Sequence, residues 1–207
     1  MPEDLVGAGI HWKSLGSLVL LSSAIMGSPG PVTVSLVGAG STYGVRRSLP
    51  YLLGNILGSE IVLFAVATGV TATLLAIPRI GSVLIWISVA YILWLAYHIA
   101  TAPPLSELTA SSPAFSLGAG VLLGVANPKA WVAMAAVFAT TRLADGAAID
   151  AAAKLAVLGV MVVVICVTWL IAGTSLAPLL RNSRRNRVVN YGLALALVVA
   201  TGLASLH

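Results

Sequence analysis

Six stretches of the chain, roughly 15–37, 50–72, 77–99, 115–139, 152–173 and 188–206, are each apolar for about twenty residues or a little more. That is the length a helix needs to cross the hydrocarbon of a bilayer, about 30 Å at 1.5 Å per residue. In lipid every backbone N–H and C=O must find a partner inside the protein, so apolar runs of this length are read as helices. Composition agrees: 59% of the 207 residues are hydrophobic and 8% are charged, against about 25% charged in a soluble domain. The expectation is an all-α polytopic membrane protein with six transmembrane helices, forming one integral membrane domain over residues 1–207. The gaps between runs are too short to hold a soluble domain. The first run is too long for a signal-peptide core and follows acidic Glu3 and Asp4, so it reads as a retained span.

The basic residues suggest an orientation. Arg46 and Arg47 lie in the gap 38–49, and Arg181, Arg184, Arg185 and Arg187 in the gap 174–187. With six spans these two gaps share a side, and the opposite side receives Lys13, Arg79, Arg142 and Lys154. The bias places the two basic gaps in the cytoplasm and both termini outside.

Two of the apolar runs are interrupted. Gly27-Ser28-Pro29-Gly30-Pro31 breaks the first, and Asn127-Pro128-Lys129 breaks the fourth at a matching depth. Proline removes a backbone donor and glycine loosens the chain, so each break must face protein or a water-filled cavity. Three helices per half force the second half to be inverted relative to the first. Paired interruptions at corresponding positions predict an inverted-repeat transporter, with pseudo-repeats of about 15–100 and 115–206 and a site between the breaks. Rocking of one half against the other about the breaks would then give alternating access.

Of 11 Lys+Arg and 6 Asp+Glu residues, only Glu60 and Lys129 are placed deep inside spans. A charge there costs about 2.5–3.5 kcal/mol on insertion scales. Their estimated depths differ by about 6 Å, which permits mutual pairing. Two readings stay open: a structural ion pair, or a binding and proton-coupling site. Asn127 and Pro128 suit a helix restart, as N-cap and first helical residue, and would aim a positive helix end at mid-membrane. A carboxylate there would meet free N–H groups and Lys129. Beyond Pro31, Thr33 and Ser35 could add hydroxyls. Asn55 lies within Gly54-x-x-x-Gly58, a motif that with Gly120-x-x-x-Gly124 reads first as helix packing. Trp131 is a weaker candidate for pocket lining.

Other classes are disfavoured. The net charge of +5 comes from short gaps, with no aromatic-interleaved basic stripe for nucleic acid. Cys166 is the single cysteine, so an intrachain disulfide and a cysteine metal cluster are impossible. One buried carboxylate without buried histidine makes a poor metal site. No H-E-x-x-H or G-x-S-x-G signature occurs, and His11, His98 and His207 fall at span ends, so no enzyme and no cofactor are expected.

The ordered set Ser28-Pro29-Gly30-Pro31, Gly44-x-Arg46, Gly54 and Gly58, Ala90-Tyr91-x-x-Trp94-Leu95, Asn127-Pro128-Lys129-Ala130, and Asn190-x-Gly192 with Gly202 spans nearly the whole chain. It resembles the lysine/homoserine-threonine exporter (LysE/RhtB) family of bacterial inner-membrane efflux proteins. The chain departs from that pattern at the end of the fourth run, where Val137–Arg142 replaces a Pro-Gln-Phe-like ending. The resemblance implies export of amino acids or related small zwitterionic solutes, driven by the proton motive force, by six helices in two halves, and allows a homodimer. By motif it carries over Pro29, Gly30, Pro31, Asn127, Pro128 and Lys129; Thr33 and Asn55 join them as substrate-binding candidates from their positions. Lys129 and the half-helix N-termini are expected to bind a carboxylate, and Glu60 to hold an ammonium group or the coupling proton. A cation or metal exporter and a non-transporting membrane scaffold are the alternatives.

Overall fold

The computed structural model describes residues 11–69, 86, 89–90, 93–94, 96–97, 100–101, 115–175, 187–192, 194–196 and 198–199. Five helices are delimited: α1, Trp12–Met26; α2, Pro31–Ala67; α3, Leu117–Ala126; α4, Pro128–Thr140; and α5, Ala147–Thr174. The first apolar run is thus divided between α1 and α2, and the fourth between α3 and α4, with a bend of 57° between the latter pair. The expected spans at 77–99 and 188–206 lie outside the continuously described residues, although the described positions from 86 to 100 and from 187 to 199 are helical.

The gap at 38–49 differs from the expectation of a loop. Helix continues through it and is interrupted only at Gly44, at φ 72° and ψ 172°, a region essentially reserved for glycine. The Ser48 hydroxyl donates to the Ala39 carbonyl, nine residues back, at 3.0 Å. A continuous helix would hold those groups about 13 Å apart. The chain therefore reverses at Gly44, and α2 is two antiparallel arms, residues 31–43 and 45–67. Small residues permit this: the whole stretch Pro31–Thr42 is buried.

Both arms pack on the second half of the chain. The first lies against α5, where a Cβ on Gly173 would reach 2.8 Å from Val37 Cα, and one on Gly40 would strike the Leu170 backbone. The second lies against α3, with Gly54 and Gly58 facing Gly120 and Gly124 so closely that the backbones touch. The Gly-x-x-x-Gly motifs are thus contact surfaces, the role small residues play between helices in lipid.

The outer surface is apolar. Among the large apolar side chains of α5, only the stripe Leu158, Val162, Cys166 and Leu170 is buried deeply, while Val160, Val163, Val164 and Ile171 are exposed. On α2, Leu53, Leu57, Ile61 and Phe64 are exposed too. Water would not tolerate such faces in contiguous stripes. With α2, α5 and the bent α3–α4 pair long and apolar enough to cross a bilayer, the chain is an all-α membrane protein.

Candidate functional site

The first break ends α1 at Met26 and restarts the chain at Pro31, the first residue of α2. Proline suits that position because its missing N–H would have no partner there. The freed carbonyls of the break are nevertheless occupied. Ser28 Oγ donates to Ile25 O at 2.8 Å, and Trp169 Nε1 of α5 donates to Gly27 O at 3.1 Å. Lys129 Nζ of α4 donates to Ser28 O in a short hydrogen bond and to Pro29 O at 3.4 Å. At the helix start Thr33 Oγ1 accepts from Gly30 N–H at 2.8 Å and donates to Gly30 O at 3.1 Å. Gly30 is extended, at φ −167°, a conformation open to any residue. What occupies the space of a side chain there is Lys129, whose Cδ lies 2.7 Å from the place a Cβ would take.

The second break is built differently. Asn127 is the N-cap of α4 and Pro128 its first residue, but the Asn127 side chain makes no capping hydrogen bond. Its Oδ1 is buried without a partner. The expected Asn-Pro restart is present in position and absent in side-chain bonding, so the amide oxygen is left over. Trp131 Nε1 takes the Val125 carbonyl at 2.7 Å, which ties the end of α3 to α4 across the bend; its indole has a structural partner.

Between the breaks lies a cavity of about 50 Å³. One water needs roughly 10–15 Å³ on this measure, so the space is that of about three to five waters. Gly30, Thr33, Asn127 and Lys129 line it, with an apolar wall that includes Met26, Met134, Val162 and Cys166. The structure therefore brings four of the sequence-derived candidates together, from elements about a hundred residues apart. Pro31 and Pro128 start the flanking helices, and Pro29 contributes its carbonyl to Lys129.

Two candidates stand elsewhere. Asn55 is fully buried in the contact of α2 with α3, its Nδ2 donating to Tyr51 O at 2.9 Å and its Oδ1 unpartnered. Glu60 does not line the cavity; its carboxylate faces α5, with Oε2 3.1 Å from where a Cβ on Gly159 would lie. Gly30 and Glu60 are separated from the Gly44 reversal by about 21 and 24 Å of helix, so they share a depth. Glu60 and Lys129 form no ion pair with each other, since the Lys129 ammonium rests on the carbonyls of the first break.

Sequence reasoning missed a buried charge. Lys154 is 5% exposed; its Nζ contacts Asp150 Oδ2 at 2.7 Å and donates to Phe138 O at 2.9 Å. Asp150 Oδ1 in turn accepts from Leu143 N–H at 2.5 Å and Ala144 N–H at 3.3 Å. The pair closes the end of α4 onto the start of α5. Its i,i+4 spacing was a readable signal. Trp169 and the methionines of the cavity carried no such signal. Among the described residues no three His, Cys, Asp or Glu side chains come together to hold a metal.

Residues 23–205 match the family model described as LysE type translocator. A cysteine/O-acetylserine efflux protein of Escherichia coli (strain K12) is 31% identical over 173 residues, 83% of this chain and 87% of that protein. Proteins of the same description from Salmonella typhi and Salmonella typhimurium are 38% identical over 87 residues, 42% of this chain. In those two matches the chain spans less than half, 44%, of the relative's length. No solved structure matches the chain.

Proposed function

We propose a function on one premise: the chain belongs to the LysE type translocator family. It is accordingly a transporter-family protein and not an enzyme. We infer that it exports amino acids or related small zwitterionic solutes across the bacterial inner membrane as a secondary transporter. The observation that carries this reading is the cavity between the two helix breaks, with Lys129 reaching across it and the Asn127 amide oxygen unpartnered. Helix breaks that enclose a polar site are how many secondary transporters hold a solute within the bilayer. The relatives named cysteine/O-acetylserine efflux proteins support an amino-acid cargo.

In this reading a solute carboxylate draws the Lys129 ammonium away from the Ser28 and Pro29 carbonyls, at the positive end of the α4 dipole. Glu60 takes the coupling proton. Its carboxylate faces Gly159, one helical turn from the cavity-lining Val162 and outside the cavity lining, a position suited to a proton rather than to the solute. Both termini are placed outside, and the six-helix arrangement and a homodimer belong to the same proposal.

Flux from reconstituted vesicles tests it, measured across an amino-acid panel with and without an imposed proton gradient. Export of at least one amino acid, lost in Lys129→Ala and made insensitive to the gradient in Glu60→Gln, is the expected result. Undiminished, still gradient-driven flux in both variants would refute the mechanism.

A further inference from the structure

The proposed exporter needs a partner for each pole of an amino acid, and among the described residues the cavity wall holds one charged side chain, Lys129. Lys129 answers the carboxylate. Glu60, the other charge at that depth, does not reach the cavity lining. The acceptor that does reach it is Asn127, which is 6% exposed and whose Oδ1 has no hydrogen-bond partner. A buried acceptor left unpaired is costly, and native structures seldom retain one without a use. Asn127 and Lys129 are two residues apart at the head of α4, and both line the same space. An acceptor and a cation lining one space are the two partners that the ammonium and carboxylate of an α-amino acid require.

Beside Gly30 and the Thr33 hydroxyl, which is engaged with the Gly30 backbone, the rest of the wall is apolar and soft. Met26, Met134 and Cys166 bring sulfur to it. Thioether and thiol groups are polarisable and adapt to a small guest. Among the described residues no carboxylate lines the wall to receive a second ammonium, and no second cation is there for a second carboxylate. An ionised side chain would be buried without compensation. The space, that of about three to five waters, is on the order of a small solute's.

We propose that the site is selective for neutral α-amino acids with short, apolar or thiol side chains, with Asn127 Oδ1 accepting from the ammonium group and Lys129 holding the carboxylate. The proposal rests on the exporter reading and goes further by assigning the ammonium to Asn127 instead of Glu60 and by excluding basic and acidic cargo.

Calorimetric titration of the full-length protein in detergent tests it, with L-cysteine kept reduced, its des-amino analogue 3-mercaptopropionate, L-lysine and L-glutamate as probes. L-cysteine is expected to bind about tenfold or more tighter than either the des-amino analogue or L-lysine and L-glutamate, the size of one charge-assisted hydrogen bond. Asn127→Leu should weaken L-cysteine by about tenfold or more and leave 3-mercaptopropionate within about twofold. Asn127→Asp, close to isosteric, should keep L-cysteine and weaken 3-mercaptopropionate, so the assignment remains testable if the leucine variant does not fold. Equal losses for both ligands in Asn127→Leu, or L-lysine binding as tightly as L-cysteine, would overturn this inference while leaving an amino-acid exporter standing. Binding of none of the amino acids would overturn the exporter reading and this inference with it.

Discussion

Replacing Gly58 by alanine puts a number on the contact between α2 and α3. A Cβ on Gly58 would lie 2.5 Å from Val121 O, 2.9 Å from Gly124 Cα and 3.1 Å from Val125 N. Ordinary carbon contacts begin near 3.5 Å, so the two backbones must part by about 0.5–1 Å. All three obstructing atoms are main chain, and no rotamer change can relieve the clash. Overpacking of this kind costs about 1–3 kcal/mol. The gain of about 1 kcal/mol that alanine brings to a helix in water is smaller here, because segments separated in a bilayer remain helical. A net loss of about 1–3 kcal/mol should lower the melting temperature by about 2–12 °C for a chain of this size. Gly118→Ala is the control: on α3, the partner helix, its Cβ would meet only Ser116 Oγ, at 3.9 Å. Unfolding of both variants in detergent, followed by circular dichroism, makes the comparison. The double variant Gly58→Ala/Gly124→Ala should lose less than the sum of the singles, because one displacement accommodates both methyl groups. A Gly58→Ala protein as stable as Gly118→Ala would refute the close packing from which the cost is worked.

Gly44→Ala forces an L-residue to φ 72° and ψ 172° and should cost about 1–3 kcal/mol, read by the same melts. Lys154→Met removes the partner of Asp150, which is part-exposed and keeps its Leu143 and Ala144 N–H donors, and is expected to cost about 1–3 kcal/mol; Lys154→Met with Asp150→Asn should recover a measurable part of it, since the remaining group is neutral. Gly30→Ala meets only the flexible end of Lys129, so the fold should survive; vesicle flux should fall severalfold or more because the ammonium is pushed off the Ser28 and Pro29 carbonyls.

The helix breaks were legible because proline and glycine interrupt apolar runs with nothing local to excuse them. That Lys129 stands at the second break was equally plain. Its partner was not. Counting residues along a helix fixes depth and leaves the position around the bundle open, so Glu60 and Lys129 at one depth could still face different neighbours. The carbonyls that hold Lys129 exist only because another helix is broken, which no spacing in the α4 sequence reports. Residues 38–49 were misread for a related reason: Arg46 and Arg47 look like a loop, whereas one glycine with positive φ suffices to turn helix back on helix. Lys154 was assigned to a membrane edge by its place in the chain, and the Asp150 one turn away was the overlooked clue.

The glycine contacts bear on how such a molecule could move. They join α2 to α3 and α2 to α5, backbone on backbone, and each of them crosses from one half of the chain to the other. Separating the halves as rigid blocks would tear both seams, so α2, α3 and α5 behave as a chassis. The segments fastened to it by side chains are α1, through Trp169 on Gly27, and α4, through Lys154 on Phe138. α4 is held at its far end by Lys154 and at its head by Trp131 on the Val125 carbonyl, so beside the cavity the part left to move is the Lys129 side chain. In the proposed transport Lys129 would then be a catch, released from the Ser28 and Pro29 carbonyls without any parting of the seams.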